Sequence, residues 1–184
     1  SSGYSGSSTG ANAAGVMTYD FLSNLDRDTY LYEMPDDVTL NMRDNGGLYY
    51  FRLDGDDSGG AATVNLNFAN STSGSGWTGW YTMSLTDVGT LNVNATDTSN
   101  DINPGIPTTV LGSGNSFSAD SDLTTVNLEG STHIRMEGVS ASGLNEINGR
   151  DMITNIFLGL DDVADNIAVD TGEGDDTVLR GDAS

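Results

Sequence analysis

Short runs of alternating apolar and polar residues, each closed by Gly, Asn, Asp or Ser, recur along this chain, and in its last part they crowd together. After Pro107, TVNL (125–128), HIRM (133–136), LNEI (144–147), TNIFL (154–158), NIAV (166–169) and TVL (177–179) follow one another at intervals of about ten residues, with a turn cluster in most gaps. Antiparallel hairpins give such spacing, and so do the successive strands of a parallel solenoid. Three features favour the solenoid: the strands are very short, Asn and Thr are interspersed on them, and Gly/Asp corners replace two-residue hairpin turns. A parallel coil buries the inward residues of each strand against the coils above and below it.

The first half has the same character at a looser spacing. VTLNM (38–42), LYYFRL (48–53), TVNLNF (63–68), WYTMSL (80–85) and TLNVNA (90–95) are β-prone and mostly alternating. Residues 1–10 form a Gly/Ser/Thr-rich lead expected to have little fixed structure. Val16, Met17, Phe21, Leu22 and Leu25 fit one helical face, so a short helix is expected over 16–25. The organisation expected is a flexible lead (1–10), a β-rich first half (11–107) and a solenoid half (108–184), together one continuous all-β domain.

Charge narrows the function. The chain of 184 residues has 27 acidic residues against six basic ones, for a formal net charge of −21. All the basic residues are arginines. Such a surface repels phosphate backbones and anionic membranes, which argues against nucleic-acid binding. Self-repulsion at this density opposes compaction unless cations are held at fixed sites, and short aspartates near glycine suit loop metal sites. With no cysteine, neither disulfides nor thiolate metal sites are available. No apolar run approaches the length of a membrane span.

Two stretches have the pattern of calcium loops. TGEGDDTVL (171–179) is close to the nonapeptide G-G-x-G-x-D-x-U-x, with Thr171 in place of the first glycine. Gly172 and Gly174 permit conformations that turn carbonyls inward, and Asp176 supplies a hard oxygen ligand. The same residues also suit an ordinary Gly-Asp turn. Asp162 and Asp165, with Asp161, are candidates to complete that site from the adjacent coil. In LDGDDSGG (53–60), Asp54, Asp56 and Ser58 alternate ahead of Gly59, the first half of a calcium loop, but Asn65 stands where a bidentate glutamate is required. A polar hairpin tip fits that stretch equally. Asp26, Asp28, Asp36 and Asp37 bracket Tyr30 and Tyr32, and Asp97, Asp101, Asp120 and Asp122 frame the long loop between the halves.

The segment 122–179 resembles the repetitive β-solenoid segments of bacterial RTX-type surface-layer proteins, in which phrases built like LTTVNL, GLNEIN and NIAVDTGEGDDTV recur. The resemblance covers roughly the last third of the chain. It implies a protein exported by a type I system, folded by external Ca2+ and placed at the bacterial cell surface. It departs from the pattern in having one recognisable nonapeptide and a second cut off at Arg180, Gly181 and Asp182. That interruption, and the opening at Ser1, read as a segment of a longer polypeptide.

Catalysis finds little support in the residues. The single His133 lies in a strand, without a cysteine or a serine motif to make a nucleophilic constellation. Parallel β-helices do house polysaccharide-active enzymes that work with carboxylates and arginines, and Arg135 and Arg150 stand near Glu137 and Glu146. Their spacing does not demand that role. Trp77, Trp80, Tyr81, Tyr49 and Tyr50 suit either a sugar-stacking platform or core packing. The reading is therefore a non-enzymatic, calcium-stabilised structural segment that self-associates into a lattice or with the rest of a longer chain. A peptide- or carbohydrate-binding module of a large RTX adhesin, in contact with cell-surface glycan, is the alternative, and a β-helix polysaccharide-active enzyme the third.

Overall fold

Parallel pairing organises the whole chain. The structure, a computed structural model, describes residues 2–3, 9–12, 18–21, 29–43, 48–55, 62–70, 77–97, 108–112 and 117–181. In chain order its strands are β1 (Ser2–Gly3), β2 (Thr9–Asn12), β3 (Thr18–Phe21), β4 (Thr29–Met34), β5 (Asp37–Arg43), β6 (Leu48–Gly55), β7 (Ala62–Asn70), β8 (Trp77–Thr86) and β9 (Val88–Asp97). There follow β10 (Thr108–Leu111), β11 (Phe117–Ala119), β12 (Thr125–Gly130), β13 (His133–Ala141), β14 (Glu146–Met152), β15 (Ile156–Val163), β16 (Ala168–Asp170) and β17 (Thr177–Arg180).

Successive strands alternate between two sheets, except that β10 and β11 both lie on the second. The first sheet has eight strands in the order β1-β3-β5-β7-β9-β12-β14-β16, and the second runs β17-β15-β13-β10-β8-β6-β4-β2, with β11 pairing β13 and β8. Every described pairing is parallel. The chain is thus a β-solenoid whose coils lay strands on each sheet in turn, β10 and β11 sharing one place between β8 and β13. The first half, expected only to be rich in β-structure, winds in the same two sheets as the second.

Period-two alternation decides what each strand buries. On the first sheet, Val38, Val64, Leu91, Val126 and Ile147 stack in register, all 1% exposed or less. On the second sheet, Leu53 lies beside Leu85 and Ile134 beside Ile156, also buried. Each such aliphatic side chain contributes about 1.5–3 kcal/mol by leaving water, and β-branched residues suit the pleat. Tyr19 joins this core with its hydroxyl unpartnered, and burial raises its pKa above the ordinary tyrosine value.

The helix expected over 16–25 is not what forms where that stretch is described. Thr18–Phe21 is strand β3, pairing Tyr19 with Leu40 and Phe21 with Met42. Here a ready-made parallel neighbour prevails over a short local periodicity. The lead expected to have little structure contributes β1 and part of β2.

The outward residues of the first sheet form rows running from coil to coil. Thr63, Thr90 and Thr125 make one, Asn65, Asn92 and Asn127 a second, and Asn41, Asn67 and Asn94 a third. The amides bond along the rows. Asn127 Nδ2 donates to Asn92 Oδ1 at 2.8 Å, Asn92 Nδ2 to Asn65 Oδ1 at 2.7 Å, and Asn67 Nδ2 to Asn41 Oδ1 at 2.9 Å. Side-chain ladders of this kind oppose the twist that parallel strands otherwise accumulate. The second sheet is different outside: Tyr30, Tyr32, Arg52, Arg135 and Phe157 face outward there, with Arg52 5.5 Å from the Tyr30 ring centroid and Arg135 4.4 Å from that of Phe157.

Candidate metal-binding corner

Where they are described, the connections between the sheets are short turns, and these turns stack from coil to coil. Stacking sets side chains from distant parts of the sequence next to one another. The described candidate calcium residues are distributed over both edges.

The nonapeptide turn lies between β16 and β17. Gly172 and Gly174 have φ of 76° and 132°, a region that excludes most side chains, as expected for glycines in this motif. A Cβ on Gly172 would come within 2.4 Å of the Gly149 carbonyl oxygen of the preceding coil. The Asp176 carboxylate is turned back along the stack, where Oδ1 accepts the Ile156 N–H at 2.8 Å. Asp175 N–H in turn donates to Asn155 Oδ1 at 3.0 Å, and Asn155 N–H donates to His133 Nδ1 at 3.1 Å. The turn is tied to the coil beneath it by its polar groups.

Asp162 and Asp165 are not brought to Asp176. They lie at the end of β15 and in the turn that follows it, and β16 runs between that turn and 171–176. Asp165 Oδ1 is 3.6 Å from Arg180 Nη2, with both side chains well exposed. Asp54, at the end of β6, accepts the Tyr30 hydroxyl at 3.2 Å, and desolvation, with the Asp54 charge and this bond, raises the Tyr30 pKa. Asp56 and Ser58 lie outside the described residues, as do the side chains of Trp77, Trp80, Tyr81 and Tyr49.

Among the described residues, one group of carboxylates converges. Asp87 occupies the turn from β8 to β9, and Asp120 and Asp122 the turn from β11 to β12 one coil later. One oxygen from each lies within 4.8 Å of the others. Asp87 has φ 53°, the left-handed conformation that aspartate tolerates better than most residues. Its N–H donates to Asp120 Oδ2 at 2.8 Å, while the Asp122 N–H donates to Asp120 Oδ1 at 3.0 Å. Asp120 is therefore held from both sides, with lone pairs to spare on each oxygen. Asp87 and Asp120 are partly buried and Asp122 is exposed, so the cluster opens to solvent.

Packing fixes these turns in place. A Cβ on Gly143, in the next turn up, would fall 1.9 Å from the Ser121 carbonyl oxygen, and one on Gly55 would fall 2.3 Å from that of Asp87. Thr124 N–H donates to the Gly89 carbonyl at 3.0 Å, and Asp120 N–H to that of Leu85 at 3.2 Å. Three carboxylates on a rigid, oxygen-only corner suit a hard cation such as calcium and lack the imidazole or thiolate that zinc prefers.

Asp120 and Asp122 stood out in the sequence as acids framing a loop, whereas Asp87 did not. Its position, in TDVG between two strands, reads as a plain turn. Its relation to Asp120, 33 residues away, depends on strand register and leaves no local trace.

Both arginines considered for catalysis make ion pairs. Arg135 pairs with Glu137 two residues along the same strand, and its guanidinium covers Phe157. Arg150 Nε reaches Asp170 Oδ2 at 3.4 Å. No described helix is long and apolar enough to cross a membrane. Comparison with protein-family models, curated proteins and solved structures finds no match to this chain.

Proposed function

We propose that this chain is a calcium-stabilised structural segment of a self-assembling bacterial surface layer, working outside the cell and without catalytic activity. The observation that carries the reading is the corner of Asp87, Asp120 and Asp122, where adjacent coils present carboxylates to one another. Calcium held there joins two successive coils through residues 33 positions apart. A cation that binds only the wound state stabilises it by mass action and offsets part of the repulsion within a chain of net charge −21. The RTX-like phrasing of 122–179 supports the same reading, as does the absence of cysteine, which leaves metal ions as available staples.

Assembly follows from the same electrostatics. Copies this acidic repel until cations neutralise part of their surface, and parallel solenoids offer strand edges and flat sides as contacts. An adhesin module remains the second reading, favoured by Tyr30, Tyr32 and Arg52 on the outside of the second sheet, a set suited to stacking on a sugar ring. Light scattering and electron microscopy of the protein across calcium concentrations separate the two. Ordered assemblies are expected at about millimolar calcium, the range of extracellular sites, and are expected to be lost in Asp120→Asn. A protein that stays monomeric there would favour the adhesin.

A further inference from the structure

The outer face of the first sheet has a property that its structural role does not require. Ladder bonds need asparagines, but the row beside them is threonine, and Thr63, Thr90 and Thr125 occupy equivalent positions on three adjacent strands. With the two asparagine rows they make a grid of hydroxyl and amide groups across which β5, β7, β9 and β12 keep one register, the β7–β9 shift falling just before it, between Ala62 and Thr63. The repeat of this grid is about 4.8 Å across strands and about 6.6 Å along them.

Three further observations narrow the ligand. First, the nine grid positions hold no charge, in a chain of net charge −21, and carboxylates such as Asp20, Asp37, Glu129 and Asp170 lie only at the ends of the rows. Second, the grid is rigid. Asn127, Asn92 and Asn67 each commit one N–H to the next amide of their row, Asn65 donates to Asp37 Oδ1 and the Val38 carbonyl, and Asn94 donates to Glu129 Oε1, so a partner above the sheet is met by groups already oriented, at little entropic cost. Third, the described outward residues of this sheet include no aromatic ring, and the stacking platform that sugar rings favour is found only on the opposite sheet.

A surface that is neutral, rigid and periodic in two directions selects a partner with the same periodicity. We infer that this face binds crystalline water: the threonine hydroxyls and asparagine amides order a layer of water at the strand spacing, near the a-axis repeat of hexagonal ice, and the threonine methyl groups hold that layer against the sheet. The inference is independent of calcium at the corner.

Ice-affinity partitioning and recrystallisation assays on the protein test it. Thr90→Tyr places a bulky ring at the centre of the grid without touching the core, and Thr125→Tyr repeats the test one strand over. Ser84→Tyr makes the same change on the outside of the second sheet. Melting curves establish that each variant is folded. The protein and Ser84→Tyr are expected to enter growing ice and to suppress recrystallisation, and both threonine variants are expected to lose these properties. Exclusion of the unaltered protein from ice would overturn the inference, as would equal partitioning of all variants. So would retention on crystalline chitin or cellulose with exclusion from ice, which would make the grid a polysaccharide surface.

Discussion

Two turns of the solenoid set carboxylates beside backbone N–H groups, and they use them in opposite ways. In the turn at 171–176, which has the calcium-loop spacing in its sequence, Asp176 reaches back to the Ile156 N–H and ties one coil to the last. In the turn at 120–122, which has no such motif, Asp120 takes an N–H from the preceding coil and another from its own, and still stands within 4.8 Å of two further carboxylates. A motif fixes which oxygens a turn carries. Stacking fixes which of them meet.

The largest effect that separates the turns is expected at the glycines. Gly143→Ala would drive a methyl group into the Ser121 carbonyl, 1.9 Å away, and Ser121 lies between Asp120 and Asp122. The turns must part, at a cost of about 3 kcal/mol, and the stabilisation by calcium is expected to go with them. Gly174→Ala, whose nearest contact is Asn155 Oδ1 at 3.0 Å, meets mainly backbone strain of about 1–2 kcal/mol and should keep the calcium response. Denaturant unfolding with and without calcium measures both. Equal loss of the calcium response in the two variants would erase the distinction.

Smaller differences are expected at the carboxylates. Asp120→Ala removes the acceptor of two N–H groups and should cost about 2–3 kcal/mol, against about 1–2 kcal/mol for Asp176→Ala, which removes one. Asp176→Asn keeps a carbonyl oxygen for Ile156 and should shift stability by less than about 0.5 kcal/mol. Asp120→Asn keeps only one of its two acceptors and should fall between. The same unfolding measurement ranks all four, and an Asp176→Asn as damaging as Asp120→Ala would place the important carboxylate in the motif after all.

Much of the fold was legible, for a physical reason. In a parallel solenoid each strand must alternate and each coil must close in a short turn, so the rhythm of TVNL, HIRM and LNEI, with asparagine and threonine on the polar side, is itself the architecture. Residues 16–25 misled because five apolar residues can satisfy a helical face by chance. Thr18–Phe21 pairs instead with β5, and no local pattern announces that neighbour. For the same reason the site was half visible. Asp120 and Asp122 were conspicuous as acids, but their meeting with Asp87 depends on the alignment of β9 with β12, in which Thr90 lies against Thr125. The asparagine ladders show the same limit, since each residue was visible and the continuity of the rows was not.

The proposed calcium ion joins the coils at Asp87, Asp120 and Asp122. Crystals of the protein grown with calcium, measured at a wavelength where calcium scatters anomalously, test it directly. An anomalous peak is expected among the three carboxylates, absent in crystals of Asp120→Asn. A map with no peak at that corner, or with its peak at Asp176 instead, would contradict it.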